Sequence, residues 1–329
     1  MTYIQAIVIA VFQGVTELFP VSSLGHSVLL PAWIGGSWST MVTQSSQSTS
    51  ESSFYLAYIV ALHCATALTL LWFFRNDWIR IIKGLFRSAM KSVRARRLVI
   101  EETDERLAWM IIVATIPVAL TGLLLEHTFR TIFAKPLAAA IFLTVNGLIL
   151  LAGERYRRKG VALKSDLTFE SKEEEAEMCD EAHEAGPRSR IALRLARESD
   201  ARITGRSFGD IMVIGLLQIL ALFAGISRSG VTMVGGLWRG LDHEDAARFA
   251  FLLATPPILA AGLLKIPSLT GPAGAHIHGQ VIVGVIVCAI TAYFSVRFLL
   301  RYFETRTLTP FAIYCLIAGA ASIIRFGFV

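Results

Sequence analysis

The sequence predicts an all-α integral membrane protein, built from six transmembrane helices and two re-entrant helical hairpins in an inverted-topology repeat. Three observations carry this expectation. Hydrophobic residues fill 54% of the 329 positions, charged residues only 17%, and mean hydropathy is +0.58, whereas a soluble domain carries about 25% charge. Six apolar stretches are of spanning length for a hydrocarbon core of about 30 Å, and two more are interrupted near their middles. Shifted by 205 residues, the two interrupted stretches overlie one another: Gln13 on Gln218, Pro20 on Gly225, Val21 on Ile226, Ser22 on Ser227 and Gly25 on Gly230, with Arg228 opposite Ser23. Short apolar segments broken at matching places in two halves point to a site at a repeat interface.

The first repeat, 1–154, opens on an apolar run with no Lys or Arg before residue 75. Within it, Pro20 and Gly25 break the helix, so that neither arm reaches across the bilayer and 4–34 reads as a hairpin that enters and leaves on one face. Residues 37–53 hold 11 Ser or Thr in 17 positions and read as a flexible polar loop. Spans follow at 54–74, 107–125 and 136–153, with a strongly basic segment at 75–106. A charged linker, 155–207, carries an acidic run and a basic, partly amphipathic stretch near 191–202 that suits a membrane surface or plain solvent. The second repeat, 208–329, has a hairpin at 211–241 and spans near 249–264, 280–296 and 307–324. Three spans per half is an odd number, so the halves have opposite orientation.

Basic residues set the orientation. The face holding 75–106, 155–206 and Arg297, Arg301 and Arg306 carries 24 Lys or Arg, against 4 on the other (Arg130, Lys135, Lys265, Arg325). The first face is therefore expected in the cytoplasm, with both termini outside and the first hairpin opening outward. The net charge of +6 is explained by this topology and by anionic lipid, and no nucleic-acid partner is expected. Cys64, Cys179, Cys288 and Cys315 have no ligand spacing, which excludes a disulfide framework or a zinc site. The N-terminus lacks a basic n-region and a cleavage site, so no cleaved secretory signal is expected.

Chemistry concentrates in QGVTELFPVSSLGH (13–26) and GISRSGVT (225–232). Ionisable groups at membrane depth read as a functional site with a partner elsewhere. Glu17 can bind a divalent cation, act as a base or orient water, and Gln13 lies one helical turn earlier on the same face. Hard oxygen ligands suit Mg²⁺ or Ca²⁺, with substrate oxygens completing the site around the lone carboxylate. Ser22, Ser23 and His26 allow a hydroxyl nucleophile with imidazole help, or a His26 nucleophile with serines binding oxygens, or serines that only cap a helix. His63, mid-span, reads as a substrate-binding, packing or catalytic residue. In the second stretch a Gly-flanked turn, its hydroxyls and a helix N-terminus make an anion site in which Arg228 supplies a planar fork for phosphate oxygens. A structural Arg228–Glu17 pair joining the hairpins is the alternative, compatible if substrate or metal intercedes.

Together the two motifs resemble the signatures of the bacterial undecaprenyl-diphosphate phosphatase family, the bacitracin-resistance type, and the likeness extends over nearly the whole chain, including FAIY near the C-terminus. The resemblance implies a multi-pass enzyme of the bacterial inner membrane that removes the terminal phosphate of a C55 isoprenyl diphosphate at the outer face and regenerates the lipid carrier for peptidoglycan precursors. By motif match Glu17, Ser23, His26 and Arg228 take the catalytic positions, with Ser227, Ser229 and Thr232 in the phosphate loop. The family pattern often has Glu at both ends of its E-x-x-x-E motif; here the first is Gln13. Expected partners are the polyprenyl diphosphate, membrane lipid and a second copy of the chain in a homodimer. A transporter or lipid flippase is the rival reading, because broken helices in inverted repeats are transporter architecture.

Overall fold

Apolar composition and helix-forming stretches fold as expected into helices alone. The computed structural model describes residues 1–40, 54–133, 135–164, 187–270 and 277–328, and among these every regular element is helical. The first hairpin is α1 (Tyr3–Thr16) and α2 (Ser23–Ile34). Then come α3 (Phe54–Phe73), α4 (Arg75–Ala95), α5 (Thr103–Phe133), α6 (Pro136–Lys164) and α7 (Pro187–Thr204). The second broken stretch is α8 (Phe208–Leu217), a 3-10 turn (Gln218–Leu222) and α9 (Arg228–Trp238). Helices α10 (His243–Thr270), α11 (His278–Phe303) and α12 (Thr309–Gly327) close the chain. The polar loop expected at 37–53 and the acidic run of the linker lie largely outside the described residues.

Four of these helices are long and apolar enough to cross a membrane alone: α5 over Thr103–Leu125, α6 over Pro136–Arg157, α11 and α12. The number rises to six if the bent pairs α3–α4 and α7–α8 each count as one span. Helix α10 has the length, at 28 residues, but its first two turns carry Glu244, Asp245 and Arg248. The outward faces are apolar: Ile282, Ile286, Ile290 and Phe294 stand exposed at steps of four along α11, which is the stripe a helix shows to lipid.

Packing relates the two halves. Helix α1 lies along α11 just as α8 lies along α5, α3 packs on α10, and α6 packs on α12. Both second arms, α2 and α9, rest on α6. The open end of the first hairpin meets the ends of α11 and α12: Gln280 Nε2 donates to the Met1 carbonyl at 3.2 Å, and Trp33 Nε1 to Ser322 Oγ at 2.9 Å. The open end of the second hairpin meets the start of α5, where Arg106 donates to the Arg206 carbonyl at 3.0 Å.

Three local expectations change. Gly25 is not a hinge: it lies in the first turn of α2, and the break occupies 17–22 instead. The basic segment 75–106 is mostly helix α4, bent by 83° from α3. The end of the charged linker is neither free in solvent nor laid on the surface, because α7 is built into the fold with Ser199 and Asp200 buried. Charge balance explains why. Arg80 of α4 reaches Asp77 at 2.7 Å, Asp104 of α5 at 2.9 Å and Asp200 of α7 at 2.7 Å, while Arg248 of α10 reaches the same Asp77 and Asp200 at 3.0 and 2.9 Å. Buried charges survive only when paired in this way. The two segments that the basic-residue count assigns to one face thus meet in one cluster at one end of the bundle.

Candidate active site where the hairpin turns meet

Each hairpin turn is closed by a serine that caps the helix after it. Ser22 Oγ accepts from Gly25 N–H at 3.2 Å at the start of α2, and Ser227 Oγ accepts from Gly230 N–H at 3.2 Å at the start of α9. The residues overlaid by the 205-residue shift therefore do the same work in both turns. Ser22 stands at φ 70°, in the left-handed region, and this geometry aims its hydroxyl at the other turn as well: it accepts from Gly225 N–H at 3.2 Å. The turns touch backbone to backbone. A Cβ on Gly25 would meet Gly225 Cα at 2.9 Å, and one on Gly225, at φ +115°, would meet the Ala139 carbonyl at 2.5 Å.

Asn146, fully buried in the middle of α6, ties both turns to the bundle. Its Nδ2 donates to the Pro20 carbonyl at 3.0 Å, and its Oδ1 accepts from Ser227 N–H at 3.0 Å. Hydroxyls of the second turn complete the seam: Ser229 Oγ donates to the Phe19 carbonyl at 3.2 Å, and Ser227 and Ser229 Oγ lie 3.0 Å apart. Thr232 is placed inside α9 with its hydroxyl buried and, among the described residues, unpartnered.

Glu17 sits at the centre of this junction, at the C-terminal end of α1, with its side chain 3% exposed. Oε1 accepts from Arg228 Nη2, which reaches across from the first turn of α9. Oε2 accepts from Gln13 Nε2 at 3.0 Å and from Ser23 Oγ at 2.5 Å, and His63 Nε2 of α3 lies 3.3 Å from it. The other ring nitrogen of His63 faces the Ile59 carbonyl at 2.8 Å, so both nitrogens face acceptors, and the imidazolium is the form that satisfies both. One carboxylate is thus met by four side chains from four helices, Gln13 of α1, Ser23 of α2, His63 of α3 and Arg228 of α9. Two helix N-termini, of α2 and α9, also end here and favour an anion.

His26 is turned elsewhere. Its Nδ1 lies 2.7 Å from the Ser22 carbonyl and its Nε2 2.7 Å from the Tyr314 hydroxyl of α12. The carbonyl can only accept, so Nδ1 carries the proton and Nε2 accepts from Tyr314. The serine–imidazole pair anticipated from their spacing is therefore not made; Ser23 is hydrogen-bonded to Glu17. A narrow crevice of about 10 Å³, room for one water, runs between Gln13, Ser23 and His26 toward Tyr55. All ten residues singled out in the sequence lie at or beside this junction. Asn146 and Tyr314 were not singled out; a lone amide in an apolar span was the available signal for the first, and FAIY, which ends in Tyr314, for the second.

Among the described residues no three His, Cys, Asp or Glu converge. The side-chain oxygens at the carboxylate are those of Gln13 and Ser23, with Arg228 and His63 on its flanks, so a divalent cation held by Glu17 would need substrate oxygens to complete its shell.

Residues 6–321 match the family model described as bacitracin resistance protein BacA. The chain is 54% identical to undecaprenyl-diphosphatase 2 of Frankia alni over 347 residues, covering 99% of this chain and 98% of that protein. It is 52% identical to the undecaprenyl-diphosphatase of Mycolicibacterium paratuberculosis (98% and 97% covered) and 40% identical to that of Gluconacetobacter diazotrophicus (99% and 98% covered).

If Asn146 clamps the turns, Asn146→Leu keeps volume but strands two buried backbone groups, at about 1–3 kcal/mol each. The detergent-solubilised variant should melt several degrees lower than the parent. An unchanged melting temperature would mean that the turns are held by other contacts.

Proposed function

The chain belongs to the bacitracin resistance protein BacA family, and from this premise we propose that it is an undecaprenyl-diphosphate phosphatase. It hydrolyses the terminal phosphate of undecaprenyl diphosphate, giving undecaprenyl phosphate and inorganic phosphate, and so returns the lipid carrier to peptidoglycan synthesis and confers bacitracin resistance. One observation carries the chemistry: Ser23 Oγ donates to Glu17 Oε2 at 2.5 Å while Arg228 holds the other oxygen of the same carboxylate. A hydroxyl, a base and a phosphate-binding fork share one point at membrane depth. A flippase has no need of a hydroxyl poised on a carboxylate, and the relatives are named for hydrolysis.

Substrate enters by exchange. The diphosphate takes Arg228, and the N–H groups at the starts of α2 and α9 and the hydroxyls of Ser227 and Ser229 bind its oxygens. Ser23 is the nucleophile. Its proton passes to Glu17, its Oγ bonds the terminal phosphorus, and the bridging P–O bond breaks with its electron pair leaving on undecaprenyl phosphate. Water then attacks the phosphoserine, with the Tyr314 hydroxyl displaced from His26 Nε2 so that this nitrogen takes one proton, and the other stays on the released phosphate, while Ser23 recovers its proton from Glu17. Gln13 and His63 hold Glu17 in line and bind substrate oxygens; Tyr314 holds His26. Ser22 and Thr232 shape the turns. A magnesium or calcium ion would be held by Glu17 together with the diphosphate oxygens and would offset their charge; none of these steps runs through it.

The architecture proposed with this function is six spans and two re-entrant hairpins in oppositely oriented repeats, 1–154 and 208–329, joined through 155–207 in the cytoplasm. The symmetric helix pairings and the meeting of each hairpin's open end with the other half support it. Both termini are outside the inner membrane, the site opens to the outer face, and a homodimer is the assembly we propose.

Purified protein given a long-chain isoprenyl diphosphate should release phosphate, and acid quenching during turnover should trap an acid-stable phosphoserine that is absent from Ser23→Ala. An acid-labile adduct lost in His26→Ala would move the nucleophile to His26, and no adduct would mean direct attack by water. Glu17→Gln should abolish most turnover, and the same assay with EDTA tests the counter-ion.

Topology has its own test. In a background without native cysteines, Thr40→Cys should react with an impermeant maleimide from the periplasm and Ala95→Cys only after the membrane is opened. Labelling of both from one side would overturn the opposed repeats.

A further inference from the structure

Helix α4 takes no part in the site, yet its surface is the least explained in the molecule. It leaves the apolar α3 at 83° and so runs across the direction of the spans. Three bands divide it. Asp77, Ile81, Gly84 and Ser88 are buried against the bundle. Ile79, Ile82, Phe86, Met90 and Val93, at helical spacing, form an exposed apolar face, with Phe86 67% and Val93 79% accessible. Between these bands runs a basic strip with Lys83 and Arg87.

An exposed aliphatic and aromatic face of this size marks a surface that is covered by something. The neighbouring chemistry says what. Leu68 and Trp72 stand exposed on the last turns of α3, just before α4, and the Arg75 guanidinium lies 5.2 Å over the Trp72 ring. Tryptophan with arginine at the end of a span is the signature of the headgroup level of a bilayer. Beside the apolar face an open groove of about 440 Å³ is lined by Arg80, Lys83, Phe86, Arg87, Met90 and Asp104. Its one carboxylate, Asp104, accepts from Arg80 at 2.9 Å, a guanidinium that also serves Asp77 and Asp200. Lys83 has no ion pair among the described residues, and Arg87 pairs only with the half-exposed Glu102, at 2.7 Å. A lysine without an ion pair among the described residues and an arginine in an exposed one, over an apolar floor, match a phosphate headgroup and the acyl chains below it.

We propose that α4 is an in-plane membrane helix whose groove between Lys83 and Arg87 holds the phosphate of an anionic phospholipid, with Phe86 and Met90 against its acyl chains. A second copy of the chain fits less well, because the basic strip would then be set against an equally basic surface. Each cation near an anionic headgroup contributes about a fivefold preference.

The test uses the full chain with Phe86 replaced by p-benzoylphenylalanine, in proteoliposomes of equimolar phosphatidylglycerol and phosphatidylcholine. Irradiation should give lipid adducts enriched in phosphatidylglycerol by at least about fivefold. The same label at Leu124, exposed on the span of α5, should show no headgroup preference. In a Lys83→Gln/Arg87→Gln background the adduct should persist and the preference disappear, with phosphate release intact as the measure of folding; if release is lost, Lys83→Gln alone is read. Crosslinked dimers, the absence of any lipid adduct, or a preference that survives the double substitution would each overturn the proposal.

Discussion

Glu17 and Arg228 stand 211 positions apart in the chain, and each is the partner that makes the other tolerable among apolar helices. An unpaired charge in the hydrocarbon zone costs several kcal/mol, so the contact forces two short hairpins from different halves to end at one place. The rest of the centre follows from that meeting. Gly25 and Gly225 let the two backbones touch, Ser22 and Ser227 cap the helices that begin there, and Asn146 satisfies the carbonyl and the N–H that the broken helices leave over. The break that exposes backbone polar groups is also the feature that makes an anion site, because the same helix N-termini are available to phosphate.

The contact is structural and chemical at once, and the two readings do not compete. Glu17 satisfies Arg228 in the structure; in the mechanism we propose, phosphate oxygens take over the guanidinium and leave Glu17 with Ser23, Gln13 and His63. Gln13, at a position where the motif that this sequence resembles often has Glu, is informative here. Gln13 donates its amide to Glu17 at 3.0 Å, a bond that a second carboxylate could make only when protonated. This chain therefore keeps one carboxylate at the centre and surrounds it with donors.

Much of this was legible in the residue order. Glu17, His26 and Arg228 stand out because ionisable groups inside apolar runs have few bland explanations, and the 205-residue overlay paired Ser22 with Ser227 before any geometry was known. What was hidden has physical causes. The partner of Ser23 depends on how the 17–22 turn folds, and Ser22 at φ 70° is not a conformation that spacing reveals. Asn146 and Tyr314 sit in stretches that read as ordinary spans, and their roles arise from contacts 126 and 288 residues away in sequence. Helices α4 and α7 looked like a basic loop and a linker because hydropathy registers their charge and not the partners of that charge. Asp77, Asp200 and Arg248 belong to three different helices, and only packing brings them together.

If Glu17 and Arg228 act as one unit, their removal cannot be additive. Arg228→Ala should lower kcat/KM at least about a hundredfold, on the order of 3 kcal/mol of transition-state stabilisation, and Glu17→Gln by a similar amount. The decisive quantity is kcat/KM of the Glu17→Gln/Arg228→Ala double variant. The account predicts a value within a few-fold of the worse single variant, since the second substitution removes a partner that no longer has a function. Losses that multiply would show two independent residues and contradict a shared centre.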